Sequence, residues 1–178
     1  MSFTRSVILV VSAILTVFAP MASAQPPVSN YTFNTGDRIA IEVFDEPELS
    51  VQALVDDSGA LSYPLLGAVQ VAGLTVRQLE ANLTEGLRGR FLINPRVSVA
   101  ILEYRPFFVR GEVAKPGNYA FTPGLTVQKA VSIAGGFTDR ASRTKFFITS
   151  DNDGERRSVA INDRVAPGDI IEIEESFF

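Results

Sequence analysis

The sequence Gly-Leu-Thr-Val occurs twice, at residues 73–76 and 124–127, each time after a strand pattern and before a helical one. Glycine permits a tight turn, and a threonine hydroxyl can accept a hydrogen bond from a free backbone N–H of the first helical turn. Each copy therefore predicts a helix that begins at a threonine cap and lies on a sheet. Gln78 stands where a capping box needs a partner for Thr75, whereas Lys129 cannot do the same for Thr126.

The repeat does not establish a tandem duplication, because a glycine, an apolar residue and a threonine together are a common helix start. The segments GDRIAIEVF, from residue 36, and GDIIEIEES, from residue 168, also resemble each other. The first lies at the beginning of its half of the chain, and the second lies at the end of the other half. The two halves are therefore predicted to share a local strand-to-helix turn, without a common order of elements.

Strands and one helix are predicted in the first half from the spacing of apolar residues. Residues 38–43 and 97–101 alternate between apolar and polar, as strands do. Residues 51–55 and 60–63 are predicted to pair as a hairpin around a turn at 56–59, and Pro64 ends the second of these strands. A short strand follows near Val69 and Val71. The predicted helix carries its apolar face on Val76, Leu79, Leu83 and Leu87.

The second half repeats this composition of elements in another arrangement. Strands are predicted at 107–110 and 118–121 around the turn dipeptide Pro116-Gly117. The helix that begins at Thr126 buries Val127, Ala130, Val131 and Ala134, and Gly135-Gly136 ends it. Residues 145–149 and 157–161 form a hairpin around 151–154, and Ile171 and Ile173 mark a closing strand. The predicted fold class is α+β, with two small domains at residues 31–104 and 105–178, each a mixed sheet with a packed helix.

The N-terminus has the pattern of a secretory signal peptide over residues 1–24. Arg5 is the only charge before Asp37, an apolar run follows it, and cleavage is predicted between Ala24 and Gln25. The alternative is a membrane anchor, but the run is shorter than the roughly 20 residues that a spanning helix needs. Residues 25–30 are predicted to be a linker. The mature chain lacks the charge of Arg5 and is one unit more negative than the −4 of the whole chain.

Composition excludes several classes of function. The chain has no histidine and no cysteine, so Ser-His-Asp and Cys-His sites are excluded, and most zinc sites with them. The missing cysteine also means that the chain is not predicted to be a lipoprotein. No basic run is present, which disfavours binding to nucleic acid. We predict no catalytic residue, no cofactor and no metal site, and we do not expect an enzyme.

Two acidic groups and one turn are the alternatives to that expectation. Asp45, Glu46 and Glu48 cluster, as do Asp56 and Asp57, and a carboxylate pair can serve as the acid and base of a glycosidase. Both groups lie at turns, where aspartate is common for its hydrogen bonds to nearby backbone. The residues 151–154, Asp-Asn-Asp-Gly, resemble part of a calcium loop, but residue 162 is asparagine where a full loop has glutamate.

Arginines and paired phenylalanines are the remaining candidates for contacts. Most of the arginines of the second half lie around its turns, where they are either solvated or line a passage for an acidic polymer: Arg105, Arg110, Arg140, Arg143, Arg156 and Arg157. Phe107-Phe108 and Phe146-Phe147 lie in predicted strands, so one member of each pair should face the core and the other should face outward. An outward phenylalanine either marks a subunit contact or is buried between two layers.

The turn and cap residues match a known family in order and spacing. Residues 35–50, 58–83 and 94–101 closely resemble the polysaccharide export domain, the periplasmic module of outer-membrane polysaccharide export proteins. Residues 109–137 resemble the soluble-ligand-binding β-grasp (SLBB) module that follows it in that family, which implies a β-grasp fold for the second domain. We interpret the matching positions as structural residues that shape turns and helix starts: Gly36, Asp37, Pro64, Gly67, Gly73, Thr75, Gly111, Pro116, Gly117, Thr126, Gly135 and Gly136.

The resemblance implies export of a sugar polymer. Family members form homo-oligomeric rings in the periplasm, act with an inner-membrane polysaccharide co-polymerase and pass the polysaccharide chain through the ring. The long form has a lipidated cysteine and an outer-membrane helix, whereas here Gln25 follows the cleavage site and the sequence ends at Phe178. We therefore expect a short member, in the periplasm and associated with the outer membrane, that docks on a separate outer-membrane β-barrel or on the co-polymerase. Phe177 and Phe178 are candidates for that contact. The alternative is a monomeric periplasmic adaptor that binds a glycan or another ligand.

Overall fold

Each half of the chain has its own hydrophobic core and one helix, in a computed structural model that describes residues 31–176. The predicted signal peptide, its cleavage site at Ala24 and Gln25, the linker and the last two phenylalanines lie outside the described residues. The α+β class with two small domains is confirmed. No helix within residues 31–176 is long and apolar enough to cross a bilayer.

The first domain is a three-stranded sheet, a separate hairpin and one helix. Its elements are β1 (Arg38–Val43), a 3₁₀ turn (Pro47–Leu49), β2 (Val51–Leu54), β3 (Ala60–Tyr63), β4 (Gly67–Gln70), α1 (Val76–Leu87) and β5 (Val97–Glu103). The sheet has the order β2-β1-β5, and β3 pairs with β4. All of these ladders are antiparallel, so the mixed sheet predicted for this domain is wrong. Strand β5 follows α1 and runs back along β1, which makes the pair antiparallel.

The predicted pairing between residues 51–55 and 60–63 is also wrong. Strand β2 pairs with β1, where Ala53 lies opposite Ile39, and β3 pairs with β4 across the turn that follows Pro64. Asp56 and Gly59 do form the predicted turn. The turn leads the chain into a second layer, where Leu61 is buried in the core that β1 also faces. Tyr63 belongs to that core too, and its hydroxyl donates to the Leu49 carbonyl at 2.8 Å.

Helix α1 begins with the predicted capping box. The Thr75 hydroxyl accepts from the Gln78 N–H, and the Gln78 side chain accepts from the Thr75 N–H at 2.8 Å. Leu79, Leu83 and Leu87 are fully buried on the face toward the sheet, as their spacing predicts.

The second domain is a β-grasp. Its elements are β6 (Phe107–Gly111), β7 (Gly117–Tyr119), α2 (Val127–Ile133), β8 (Ala141–Thr149), β9 (Arg156–Val159) and β10 (Ile170–Glu175). The sheet has the order β7-β6-β10-β8-β9, with β6 and β10 parallel in the centre and the other ladders antiparallel. A parallel pair needs a long crossover, and α2 with the β8–β9 hairpin supplies it. The hairpin predicted around residues 151–154 is confirmed.

In each domain, the segment that leads into a Gly-Asp strand lies next to the Gly-Leu-Thr-Val segment that begins the helix. Strand β1 follows Gly36-Asp37, and β10 follows Gly168-Asp169. In each case, a residue four positions before the aspartate donates its N–H to the leucine carbonyl of Gly-Leu-Thr-Val: Phe33 to Leu74 at 2.9 Å and Val165 to Leu125 at 3.1 Å. The same unit thus joins a strand start to a helix start in both domains.

The order of the two segments differs because the unit is permuted along the chain. The Gly-Asp strand precedes the helix in the first domain and follows it in the second. Both aspartates also accept the N–H of the residue three positions before them: Asp37 from Asn34 at 2.9 Å and Asp169 from Ala166 at 2.8 Å. The sequence similarity therefore reflects one shared local geometry, even though the halves do not align as a tandem repeat.

Candidate functional site

Arg105 lies between the two domains and binds both of them. The residue is only 6% exposed. Its Nη1 donates to the Tyr31 hydroxyl at 2.8 Å, and its backbone N–H donates to Asp37 Oδ1 at 2.9 Å. On the side of the second domain, its Nε donates to Asp151 Oδ2 at 2.9 Å, and Nη2 donates to the Asn152 side-chain oxygen at 3.3 Å. We call Tyr31, Asp37, Arg105 and Asp151 the domain junction.

Asp37 is the buried anion of the domain junction. It has no solvent exposure, its Oδ2 accepts from the Tyr31 hydroxyl at 2.5 Å, and the Arg105 guanidinium lies 3.5 Å from the same oxygen. Burial raises the pKa of the Tyr31 hydroxyl, and the hydrogen bond to Asp37 raises it further. Tyr31 therefore stays protonated and keeps donating. A buried pair of this kind costs about 3–5 kcal/mol to break, because one charge is left without its partner.

Gly168 makes room for the ion pair between Arg105 and Asp151. A Cβ at this position would lie 2.5 Å from Asp151 Oδ2 and 2.7 Å from Arg105 Nε. Its φ of 85° is also in the left-handed region that favours glycine. The second Gly-Asp segment therefore contributes to the domain junction through its glycine, as the first does through its aspartate.

Three aromatic side chains continue from the domain junction along the surface between the domains. Tyr104 packs edge-on against Tyr31 at a ring-centroid distance of 5.0 Å and against Phe121 at 5.4 Å. Tyr31 and Tyr104 come from the first domain and Phe121 from the second. All three rings are partly exposed. Together they form an aromatic row that crosses from one domain to the other.

The structure brings only two of the predicted motif residues, Gly36 and Asp37, to the domain junction. The others lie at separate turns and helix starts. Pro64 and Gly67 lie at the β3–β4 turn, Gly73 and Thr75 precede α1, Gly111 ends β6, Pro116 and Gly117 lie at the β6–β7 turn, Thr126 precedes α2, and Gly135 and Gly136 follow it. Close packing requires glycine at position 111, since a Cβ at Gly111 would lie 2.1 Å from the Ile173 carbonyl oxygen.

The two acidic groups considered for catalysis do not lie at the domain junction. Asp56 accepts from the hydroxyl and N–H of Ser58 and from the N–H of Ala60. The Ser58 hydroxyl and then the Ala60 N–H lower the pKa of Asp56, so this carboxyl is a poor proton donor near neutral pH. Asp45 and Glu46 line a different groove, next to Phe44. Within residues 31–176, no cluster of three or more acidic side chains is arranged to hold a metal ion.

The turn at residues 151–154 directs its side chains to the domain junction. Asp151 and Asn152 bind Arg105, and Asp151 also accepts from the Asn34 side-chain amide at 3.4 Å. Asp153 accepts from the Glu155 N–H within the turn. Of the two acidic residues that suggested part of a calcium loop, Asp151 thus holds the domains together, and Asp153 stabilises the turn.

Five of the six arginines noted in the sequence have partners in the structure. Arg105 lies in the domain junction, Arg110 and Arg156 bind Glu172 at 3.0 and 3.1 Å, and Arg140 binds Glu175. Arg143 stacks over the Phe137 ring at 4.5 Å. Arg157 is exposed, and no carboxylate of the described residues lies within 4.0 Å of its guanidinium.

The paired phenylalanines face opposite sides of the second sheet, as predicted. Phe107 and Phe146 are buried in the core. Phe108 is 42% exposed, and Phe147 is half-buried under the guanidinium of Arg156, which lies 3.6 Å from the ring centroid. Their interpretation as a subunit contact stays a prediction.

Comparison with known proteins gives the family. Residues 25–102 match the family model described as polysaccharide biosynthesis/export protein, and residues 106–160 match the SLBB domain. The chain belongs to the polysaccharide export family. The two matched segments follow each other in the order expected from the sequence. Arg105 falls between them, so the central residue of the domain junction belongs to neither segment.

Three relatives illustrate the similarity. The chain is 27% identical to the exopolysaccharide production protein ExoF of Rhizobium meliloti, over 85% of this chain and 39% of that protein. It is 30% identical to the EPS I polysaccharide export outer membrane protein EpsA of Ralstonia nicotianae, over 65% and 36%. It is 28% identical to the polysialic acid transport protein KpsD of Escherichia coli, over 60% and 20%. The chain thus spans well under half the length of these relatives.

The domain junction and the aromatic row do not follow from the sequence pattern. The sequence pattern indicates only that Arg105 is one of several arginines near turns and that Asp37 belongs to a turn. The signal that could have indicated them is their place in the chain, because Tyr104 and Arg105 stand where one family segment ends and the next begins. An aromatic residue and an arginine at a domain boundary are candidates for contacts between the domains.

We expect Gly168→Ala to lower the free energy of unfolding by about 3 kcal/mol or more, because the new Cβ would separate Arg105 from Asp151. The matched control is Gly136→Ala, which has a similar φ of 89° but open space around it, and which should cost only about 1–2 kcal/mol. Urea denaturation of a chain of residues 25–178, followed by circular dichroism, measures both. Equal losses in the two variants would contradict the role assigned to Gly168.

Proposed function

We propose that this chain is a periplasmic component of an exopolysaccharide or capsule export machine, and that it forms or completes a ring that conducts the polymer to the outer membrane. The observation that carries the proposal is the match of both domains, in family order, to a polysaccharide export domain and an SLBB domain. The relatives support it, since their names refer to exopolysaccharide production, polysaccharide export and polysialic acid transport.

The proposed mechanism is confinement of the polymer. A ring of rigid two-domain protomers encloses an extended glycan, and many weak contacts let it slide, whereas tight binding would stall it. The domain junction supports this mechanism, because a buried ion pair at the boundary between domains fixes their relative orientation. No bond in the polymer is made or broken in this mechanism, which therefore requires no catalytic residue.

A surface of the first domain is a candidate contact between protomers. Phe44 and Ile93 are 58% and 86% exposed, and both line a groove of about 360 Å³. The groove lies at the end of β1 opposite to Asp37, and a six-residue strand places the two about 20 Å apart. Arg96 stacks over the Phe44 ring at 3.7 Å and holds it in place. Exposed apolar side chains of this size favour burial against a second copy of the chain.

The proposed partners follow from the same function. They are the polysaccharide chain, further copies of this protein, an inner-membrane polysaccharide co-polymerase and an outer-membrane β-barrel. The proposed location is the periplasm, in association with the outer membrane. One relative is named an outer membrane protein, which supports this location.

Deletion of the gene tests the proposed function directly. In a strain without a second copy, we expect surface polysaccharide to fall severalfold and periplasmic polymer to accumulate, because synthesis continues while its exit is blocked. Sugar analysis of separated surface and periplasmic fractions measures this, and a plasmid copy of the gene should restore export. Unchanged surface polymer in the deletion strain would contradict the proposal.

Sedimentation of the mature chain tests the ring. We expect an oligomer for the wild type and a shift to monomer for the double variant Phe44→Ser, Ile93→Ser, because both side chains would be covered between protomers. Ile133→Ser is the matched control, since Ile133 is 47% exposed on α2 of the other domain, and it should leave the oligomer intact. A wild-type chain that is monomeric at every concentration would instead favour the adaptor function.

A further inference from the structure

The aromatic row forms one wall of a groove at the domain boundary. The groove has a volume of about 340 Å³, and its lining includes Tyr31, Tyr104 and Phe121 together with Arg157 and Arg164. A second groove, of about 520 Å³, is also lined by Tyr104 and Phe121. The two grooves share this pair of rings, so an extended ligand can lie across both. We call the first one the boundary groove.

The exposed charges of the boundary groove are positive, although the net charge of the protein is −4. Arg157 and Arg164 are both exposed, and within residues 31–176 neither has a carboxylate within 4.0 Å. Every other arginine contact at the turns of this domain involves a glutamate, an aspartate or an aromatic ring. Two exposed cations that form no close salt bridge within the described residues thus lie on the wall of one concave surface.

One carboxylate, that of Asp169, also lines the boundary groove, but it is buried. Asp169 is 4% exposed, and its Oδ2 accepts from the Ala166 N–H at 2.8 Å. Burial raises the pKa of Asp169. The backbone N–H groups of Ala166 and Asp151 lower it in part, and among the charged residues that line the groove only the two arginines are exposed.

We propose that the boundary groove is a binding subsite for an acidic glycan. A sugar ring packs its C–H face on Tyr104 and Phe121, and the carboxylate of a uronic acid unit pairs with Arg157 and Arg164. This inference rests on the proposed function and deepens it, because it names acidic polymers as the class that is exported.

The chemistry of both walls fits this ligand. The faces of aromatic rings carry partial negative charge, which attracts the C–H groups of a sugar, and the flat rings offer contact area at little entropic cost. Arginine binds carboxylates with two parallel hydrogen bonds, which fixes the orientation of the acid group. Since both arginines are exposed, each pair should change the affinity only about fivefold. Weak binding of this kind suits a polymer that has to slide.

Oligogalacturonate is the probe for a test with the purified mature chain. Its carboxyl-reduced form, which has the same length and linkage without the charge, is the neutral control. Oligoglutamate of equal charge is the acidic peptide control. Titrations followed by NMR, with the ring signals of Tyr104 and Phe121 assigned, detect binding at millimolar concentrations. We expect oligogalacturonate to shift these signals and to bind at least about tenfold more tightly than either control, with an affinity that falls as salt is added.

Variants then separate the two walls of the boundary groove. Arg157→Gln with Arg164→Gln should weaken binding of oligogalacturonate about tenfold or more and leave the neutral form unaffected. Arg77→Gln with Arg88→Gln, an equal change of charge on the exposed surface of the first domain, should alter neither. Phe121→Leu should weaken binding of both sugars. Circular dichroism of each variant checks that it is folded.

Three results would overturn the inference: no shift of the ring signals, equal affinity for oligoglutamate, or unchanged affinity in the double arginine variant. None of them bears on export itself. Export that still depends on the gene, combined with any of these results, would refute only the acidic subsite. Export that does not depend on the gene would refute the proposed function, whatever the protein binds.

Discussion

The contact of Arg105 with Asp37 and Asp151 is the interaction on which the arrangement of the two domains depends. Each domain has its own core, and the two cores share no residue. A guanidinium can donate in several directions at once, so one side chain satisfies acceptors on both sides of the boundary. Because the Arg105–Asp37 pair is shielded from water, it is weakened less by salt than a surface pair. Together with the half-exposed contact to Asp151, it fixes an orientation that two separate cores would leave open.

That fixed orientation connects the local geometry to the proposed function. The aromatic row crosses from Tyr31 to Phe121 only while the domains keep their relative position. The boundary groove draws its lining from both domains, so its shape depends on the same contact. The candidate contact between protomers lies at the other end of β1. A rigid protomer can therefore present one surface to its neighbours and another to a polymer, without movement between the domains.

Features that depend on near neighbours could be predicted from the sequence. The three-residue spacing of Thr75 and Gln78 is enough to predict the capping box that begins α1. The alternation of side chains along a strand is enough to predict that Phe108 faces outward. The pairing of β3 could not be predicted, because residues 60–63 have a suitable partner on either side, and burial of Leu61 in a second layer decides between them. The domain junction was missed for a similar reason. Asp37, Arg105 and Asp151 are far apart in the chain, and nothing local to any of them indicates that they meet.

Hydrogen exchange of a chain of residues 25–178, measured by mass spectrometry, tests the central claim most directly. If the domain junction joins the domains into one cooperative unit, the slowest amides of α1 and of β8 should open with the same free energy in the wild type. In Asp37→Asn, where the buried anion is lost, the two should differ, whereas Asp57→Asn in an exposed turn should change nothing. Separate opening free energies in the wild type, or a common value that persists in Asp37→Asn, would contradict the account.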